Sequence, residues 1–161
     1  MTIEFMRDLL SKDEKITVEY KTCQHGIQED VYETVCSFSN RYGGYIIMGV
    51  EDDGTPIGIN PNIIKDMKKN FVNQLNNPDK MSPTLYLSIE DIVYEGMMLL
   101  WVYVPPTSTV EKCANRIYDR NEDGDMDITD SPIQLQNMYN RKSNTYAEHK
   151  IFPYITTEDL R

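Results

Sequence analysis

Residues 36–59 read CSFSNRYGGYIIMGVEDDGTPIGI and contain the signals that decide the fold. The run YIIMGV, residues 45–50, is rich in β-branched and aromatic residues and has turn residues on both sides, which indicates a buried strand. Gly43-Gly44 precedes this run and suits a helix end, because glycine adopts positive φ and lets another backbone approach closely. Asp53-Gly54 follows it and favours a hairpin with a short return strand.

Outward from this strand, the chain shows both helical and extended patterns. Apolar residues at helical spacing predict helices over residues 3–11, 27–41, 61–75 and from 131 onward. The third of these has Asn60 as a plausible cap and Pro61 as its first residue. Strand patterns cover residues 16–21, 85–94, 97–104 and 116–120, and Glu95-Gly96 predicts a hairpin turn between the second and third.

This order predicts an α+β fold, in which a mixed β-sheet with hairpins is packed by three to four helices. The length of 161 residues suits one domain, which we expect over residues 1–155. Residues 156–161 (TTEDLR) have the pattern of a capped helix that is just beginning. We therefore expect them to start a linker or a next domain, in a chain cut from a longer protein.

The composition limits the classes of function. The formal net charge is −10, the wrong sign for holding nucleic acid through bulk electrostatics, so such a role needs a local basic patch or a neighbouring domain. No apolar run approaches the length of a membrane span, and the N-terminal residues do not form a secretory signal. Three cysteines without C-x-x-C spacing favour a reducing, cytoplasmic location.

Acidic residues form the first candidate site. Glu14 and Glu19 lie on either side of the first predicted strand's start, and Glu51, Asp52 and Asp53 lie in the predicted hairpin. Carboxylates brought together can hold Mg²⁺ or Mn²⁺ for phosphodiester cleavage, or serve as general acid and base. The alternative interpretation is that these side chains only face water.

A second acidic segment, residues 119–130 (DRNEDGDMDITD), has the spacing of a calcium-binding loop. Its oxygen-bearing residues stand at alternate positions around Gly124, and an acid ends the loop: Asp119, Asn121, Asp123, Asp125 and Asp127, then Asp130. The twelfth position holds Asp where glutamate is usual, and the preceding residues predict a strand where an entering helix is needed. The alternative is a β-hairpin with an acidic Asp-Gly turn.

The third candidate site is a basic set with neighbouring tyrosines, the combination that contacts phosphates and stacks on bases. Its cations are Lys21, Arg41, Arg116, Arg120, Arg141 and Lys142, and its tyrosines are Tyr20, Tyr42, Tyr118 and Tyr139. The sequence leaves open whether these side chains converge or are scattered over a solvated surface.

Several motifs, in order, resemble the Schlafen AlbA-type domain. They are Glu14-x4-Glu19-Tyr20-Lys21, the helix end at residues 34–40, Gly43-Gly44, residues 46–54 with Ile57-Gly58, the strand end at 102–106, Tyr118-x-Arg120 and residues 157–160. The resemblance covers nearly the whole chain. It implies a mixed sheet with helices and a role in binding DNA or RNA.

In bacteria, such domains open longer chains described as transcriptional regulators or RecG-related proteins. The resemblance thus implies a nucleic-acid-binding domain of a bacterial regulator, with the C-terminal domains of the full-length chain as partners. Phosphate contacts are expected from Lys21, Arg41, Arg116 and Arg120, with Tyr118 available to stack.

Three further hypotheses remain open. The first is a metal-dependent endoribonuclease, because some animal relatives are endoribonucleases that use three acids. Glu14 and Glu19 match the first two, and Asn60 stands where the third is expected. This departure favours binding over catalysis for the domain alone. The second hypothesis is a calcium-stabilised interaction module, and the third is a homodimer paired through exposed strand edges.

Overall fold

The fold is built around a four-stranded sheet, seen in a computed structural model that describes residues 1–11 and 16–144. The elements, in chain order, are α1 (Ile3–Leu10), β1 (Val18–Lys21), α2 (Glu29–Ser39), β2 (Gly44–Met48), α3 (Pro61–Leu75), β3 (Met81–Ser82), β4 (Ile89–Tyr94), β5 (Met97–Val104), β6 (Lys112–Cys113), β7 (Tyr118–Asn121) and β8 (Gly124–Asp127). A further helix, α4, covers residues 132–144. The arrangement is α+β, as predicted.

Strand β2 lies inside the sheet, whose order is β1-β2-β5-β4. It pairs in parallel with β1 and antiparallel with β5, and β5 pairs antiparallel with β4. The mixed sheet is therefore confirmed. The predicted buried strand is confirmed too, because Ile46, Ile47 and Met48 have no exposed surface.

The side chains of the sheet alternate between two apolar clusters. Ile46 and Met48 of β2 point to the larger cluster, which includes Phe38 of α2 and Phe71 of α3. Ile47 points the other way, to a smaller cluster with Met6 and Leu9 of α1. Because α1 has only eight residues, it covers only part of its face of the sheet. Aromatic side chains on the rest of this face stay partly exposed.

The two predicted hairpins differ in outcome. Glu95 and Gly96 both have positive φ, 49° and 79°, as expected for the tight turn between β4 and β5. After β2 the chain does turn at Asp53-Gly54, but the return is a single bridge between Val50 and Pro56. No second strand forms there, since Pro56 has no N–H to extend a ladder.

The segment 105–130 contains two features that the sequence predicted only in part. Residues 107–115, which lie outside every predicted helix and strand, include β6, which pairs with β3. The acidic run forms the hairpin of β7 and β8, with Gly124 after the turn, so the hairpin alternative is the one observed. A strand, and no helix, leads into the acidic turn.

Among the residues that the structure describes, no helix is both long enough and apolar enough to cross a membrane. The expectations for Glu14 and for residues 156–161 fall outside the described residues, and the boundary expected at residue 155 does too.

Candidate functional site

Two arginines from distant parts of the chain meet at one aspartate. Arg41, just after α2, donates from Nε to Oδ1 of Asp119 at 3.0 Å and from an Nη to Oδ2 at 2.7 Å. Arg141 of α4 lies 3.7 Å from Oδ1 of the same carboxylate and donates to the carbonyl of Asn40 at 2.8 Å. Arg41 and Arg141 thus form a basic cluster around the carboxylate of Asp119.

Solvent reaches the side chains of both arginines. The side chains of Arg41 and Arg141 are 24% and 30% exposed, whereas that of Asp119 is 6% exposed. The hydrogen bond from Arg41 to Asp119 raises the pKa of Arg41 above its ordinary value. Burial, and then the charge of Arg41, lowers the pKa of Arg141. Like charges therefore lie close together here, at a surface where an anion can approach them.

Asn40 explains why these elements meet. It caps the C-terminus of α2 and is almost fully buried. Its Nδ2 donates to the carbonyl of Glu111 at 2.9 Å and to that of Tyr118 at 2.8 Å. One side chain thereby joins the end of α2 to the residues before β6 and to β7, and this fixes Asp119 beside Arg41.

An aromatic pocket opens next to the arginine pair. It has a volume of about 320 Å³ and is lined by Phe5, Asp8, Tyr42, Tyr45 and Tyr103, with backbone from both neighbouring glycines. The guanidinium carbon of Arg41 lies 5.7 Å from the centre of the Tyr42 ring, so Tyr42 borders both the pocket and the basic cluster.

Arg120 lies in the interior. Its side chain is 2% exposed, and its Nη1 donates to Glu19 at 2.7 Å and to Asp125 at 2.9 Å. Its guanidinium carbon also lies 4.7 Å from the centre of the Phe38 ring. This arginine ties the β7–β8 hairpin to β1 and α2, so it has no surface on which to contact phosphate.

The other predicted cations are paired away from this cluster. Lys21 is bonded to Asp30 at 2.9 Å, with a side chain that is 14% exposed. Arg116 contacts Asp127 at 2.8 Å and Asp130 at 3.1 Å. Tyr118 is half-buried against the larger apolar cluster. Of the predicted nucleic-acid contacts, only Arg41 lies in the basic cluster.

The acidic residues are not gathered for metal binding in the described part of the chain. Glu19 accepts a hydrogen bond from Arg120, and Glu51, Asp52 and Asp53 are exposed around their turn. A hydrogen bond from Thr55 lowers the pKa of Asp53. Over residues 1–11 and 16–144, no group of three His, Cys, Asp or Glu side chains has the arrangement of a metal site.

The predicted calcium ligands point in different directions. Asp119 faces Arg41, Asp125 faces Arg120, and Asp130 faces Arg116. The side chain of Asn121 accepts a hydrogen bond from the backbone of Asp123, which shapes the turn. Three of the carboxylates and the amide therefore serve contacts within the fold.

Two buried titratable groups, Lys142 and Glu111, lie behind the basic cluster. Lys142 of α4 donates to Ser39, Thr107 and Thr109, with its shortest bond, 2.6 Å, to the Thr109 carbonyl. Glu111 is fully buried, and burial raises its pKa to about 8. Burial lowers the pKa of Lys142, also to about 8. The hydrogen bonds of Lys142 anchor α4 against the loop before β6.

Sequence reasoning found Arg41, Arg141 and Tyr42 as members of a scattered set, but it did not find the pocket. Phe5, Tyr45 and Tyr103 come from three separate elements, and no local pattern marks their convergence. The only signal available was the alternation in β5, which puts Tyr103 and Trp101 on one face.

Both the sequence and the fold are similar to those of known proteins. The sequence profile of the family described as Schlafen, AlbA_2 matches residues 3–129. The N-terminal domain of a RecG-related protein from Nitrosomonas europaea, solved by NMR, has 26% identity and a TM-score of 0.52, over 65% of this chain and 72% of that one. Among curated proteins, no sequence matched the chain.

The DIP2311 protein from Corynebacterium diphtheriae also has a similar structure, with a TM-score of 0.56. Its identity of 17% shows a shared fold alone. The match covers 78% of this chain but 29% of that protein, so the chain spans less than a third of the length of this relative.

Proposed function

Because the chain belongs to the Schlafen, AlbA_2 family, we propose that it is a nucleic-acid-binding domain whose contact surface is centred on Arg41 and Arg141. The similarity to the N-terminal domain of a RecG-related protein supports a nucleic-acid-related role, since that relative is named for its relation to an ATP-dependent DNA helicase. The family membership also confirms the resemblance drawn from the sequence motifs.

The arrangement of Arg41, Asp119 and Arg141 is the observation that carries this proposal. Two guanidinium groups face one carboxylate at a surface open to solvent. A guanidinium has five N–H donors in a planar fork that matches the oxygen atoms of a phosphate, and Asp119 takes two of those of Arg41. In a chain with a net charge of −10, such a local cationic surface gives a polyanion a defined place to bind.

The other predicted cations fit this role less well. Each has acidic neighbours that oppose an incoming phosphate: Arg116 contacts two aspartates, and Lys21 contacts Asp30. Arg120 acts inside the fold. In this proposal Lys21 and Arg116 contribute at most to the edge of the binding surface.

The remaining acidic surface predicts modest affinity for the domain alone, because most of the molecule repels phosphate. We place the domain in a bacterial transcriptional regulator, where further domains of a longer chain add their own contacts. Linked modules bind more tightly than either does alone, because the second contact becomes intramolecular.

Fluorescence anisotropy tests the proposal. Labelled single-stranded DNA, duplex DNA and RNA are titrated with the protein over a series of salt concentrations. The variant Arg41→Gln/Arg141→Gln is compared with Lys65→Gln/Lys69→Gln, a pair of exposed lysines on α3 that changes the net charge equally. Circular dichroism and thermal melting confirm that each variant folds.

We expect the arginine variant to bind much more weakly than the lysine variant. The slope of log K against log salt should also fall by about one for each phosphate that the variant no longer binds. Equal losses in the two variants would show non-specific electrostatics, and an absence of binding at low salt would reject the proposal.

A further inference from the structure

The aromatic pocket shares a wall with the basic cluster. Tyr42 lines the pocket and lies against the guanidinium of Arg41. Behind it, Tyr45 contacts Phe5 edge to face at 5.4 Å and Tyr103 at 5.0 Å between ring centres. Four rings therefore surround a space of about 320 Å³ that opens to solvent.

Three of the four rings are exposed to solvent. Phe5 is 39% exposed, Tyr42 60% and Tyr103 43%. Exposed rings that converge on one concave surface are typical of a binding site, whereas single exposed apolar residues need no explanation.

We infer that this pocket takes one unpaired nucleobase of a single-stranded stretch whose phosphates lie on Arg41 and Arg141. The inference rests on the proposed function and adds the class of nucleic acid that the surface selects. A base offers two flat faces for the rings, and stacking of this kind is tolerant of base identity. In a duplex the bases are stacked inside and cannot enter the pocket.

The polar groups of the pocket agree with this occupant. Asp8 of α1 lines it, and a carboxylate accepts hydrogen bonds from the amino groups on base edges. The guanidinium groups beyond Tyr42 supply the charge that a sugar-phosphate backbone needs. A purely apolar partner would gain nothing from the two arginines, so charge complementarity favours a nucleotide strand over a second copy of this acidic chain.

The test compares three oligonucleotides of equal length: single-stranded DNA, the same strand with abasic sites, which keeps every phosphate, and duplex DNA, which has two backbones and so twice the charge. Binding is read by anisotropy and by the fluorescence of Trp101, the single tryptophan, whose ring lies 6.3 Å from that of Tyr45. We expect the intact single strand to bind most tightly and to change the Trp101 emission.

Two variants remove ring faces at exposed positions, Tyr103→Leu and Tyr42→Leu. Tyr86→Leu is the matched control, since Tyr86 is 81% exposed and does not line the pocket. Each pocket variant should weaken binding of the intact single strand by about fivefold or more. Binding of the abasic strand should change little, and the control should bind like the unmodified protein.

The possible outcomes distinguish a failure of this inference from a failure of the proposed nucleic-acid-binding function. If intact and abasic strands bind equally, and only the Arg41→Gln/Arg141→Gln variant loses affinity, the base pocket is overturned while the proposed phosphate-binding surface is still supported. No binding of any strand at low salt overturns both. A shift from dimer to monomer in sedimentation on Tyr103→Leu, without a change in binding, shows that the pocket is an interface between copies and also overturns the inference.

Discussion

Asn40 and Glu111 form a reciprocal pair of hydrogen bonds between a side chain and the backbone. The Nδ2 of Asn40 donates to the Glu111 carbonyl at 2.9 Å, and its Oδ1 accepts from the Glu111 N–H at 2.8 Å. The amide of Asn40 thus replaces a strand neighbour for the backbone of Glu111, a residue that is fully buried. Because the same Nδ2 also reaches the Tyr118 carbonyl, this residue holds Asp119 in position for the two arginines.

Replacing Asn40 by alanine should therefore lower both stability and nucleic-acid binding. Asn40→Ala leaves the buried N–H of Glu111 without its side-chain partner, and an unsatisfied buried polar group costs about 1–3 kcal/mol. We expect a loss of about 2–4 kcal/mol in the free energy of unfolding, measured by urea denaturation. Asn70→Ala, at an exposed position of α3, is the control and should change stability little.

Arg120 provides a second test, because the sequence suggested a surface role and the structure places it in the core. Arg120→Met leaves the carboxylates of Glu19 and Asp125 without their shared buried counter-ion. Breaking a buried ion pair in this way costs about 3–5 kcal/mol. Chemical denaturation should show this loss, whereas a protein of unchanged stability that binds nucleic acid more weakly would support the surface role.

Arg116→Met is the matched control from the same hairpin. The Arg116 side chain is 43% exposed, and it contacts Asp127 and Asp130 at the surface. Surface ion pairs contribute little, so this variant should melt close to the unmodified protein. Equal destabilisation by the two substitutions would show that the hairpin itself, and not the buried pair, is sensitive.

Much of the sheet was predictable because its signals are local. Residues 44–48 form a strand since an apolar run there is bounded by glycines and an Asp-Gly turn, and Glu95-Gly96 closes the next hairpin. The start of α3 followed from Asn60, whose side chain accepts from the backbone N–H of Asn62. The two-residue strands β3 and β6 were missed because two residues carry no periodicity.

The candidate site was predictable only in its residue types. Arg41 and Asp119 are 78 residues apart, and whether a charge faces water or a partner depends on that tertiary contact. The same reason explains why Arg120 was misplaced. Nothing in the pattern around it reports that Glu19 of β1 lies 2.7 Å away. The aromatic pocket likewise depends on how far α1 extends over the sheet.

Glu111 predicts a dependence of stability on pH. Its carboxylate oxygens have no hydrogen-bond partner among the described residues, and burial raises its pKa from an ordinary value of 4.5 to about 8. The unfolded chain loses this proton near its ordinary pKa, but the folded chain keeps it. Raising this pKa therefore destabilises the fold. The loss of folding free energy is absent below about pH 4.5, grows as the pH rises towards 8, and is constant above that.

Glu111→Gln removes this cost and should stabilise the protein increasingly between about pH 5 and pH 8, by a few kcal/mol at most. Thermal melting of both proteins across this range gives the measurement. Lys142 faces Glu111, and its lowered pKa acts oppositely, with a cost present below about pH 8 and lost at higher pH. The difference between the two proteins reports the titration of Glu111 together with its coupling to Lys142, and a difference that stays flat with pH would contradict the raised pKa of Glu111.

Gly44, the first residue of β2, and Gly96 show two different reasons why glycine is needed. A Cβ added to Gly44 would lie 2.6 Å from the Thr17 carbonyl oxygen and 2.8 Å from the Phe38 ring, although its φ is not positive. Gly44→Ala should therefore cost about 1–3 kcal/mol through crowding alone. Chemical denaturation gives the value, and a variant as stable as the unmodified protein would show that the strands can move apart at no cost.

Gly96 is the matched case in which only the backbone conformation matters. Its φ is 79°, and a Cβ there would meet nothing within 4 Å. Gly96→Ala should cost about 1–2 kcal/mol from backbone strain. Asparagine adopts positive φ more readily than alanine, so Gly96→Asn should recover part of that loss.

At position 44 asparagine brings a larger side chain into the same contact, so Gly44→Asn should be at least as destabilising as Gly44→Ala. Recovery by asparagine at both positions would mean that strain, and not the approach of Thr17 and Phe38, sets the requirement at Gly44.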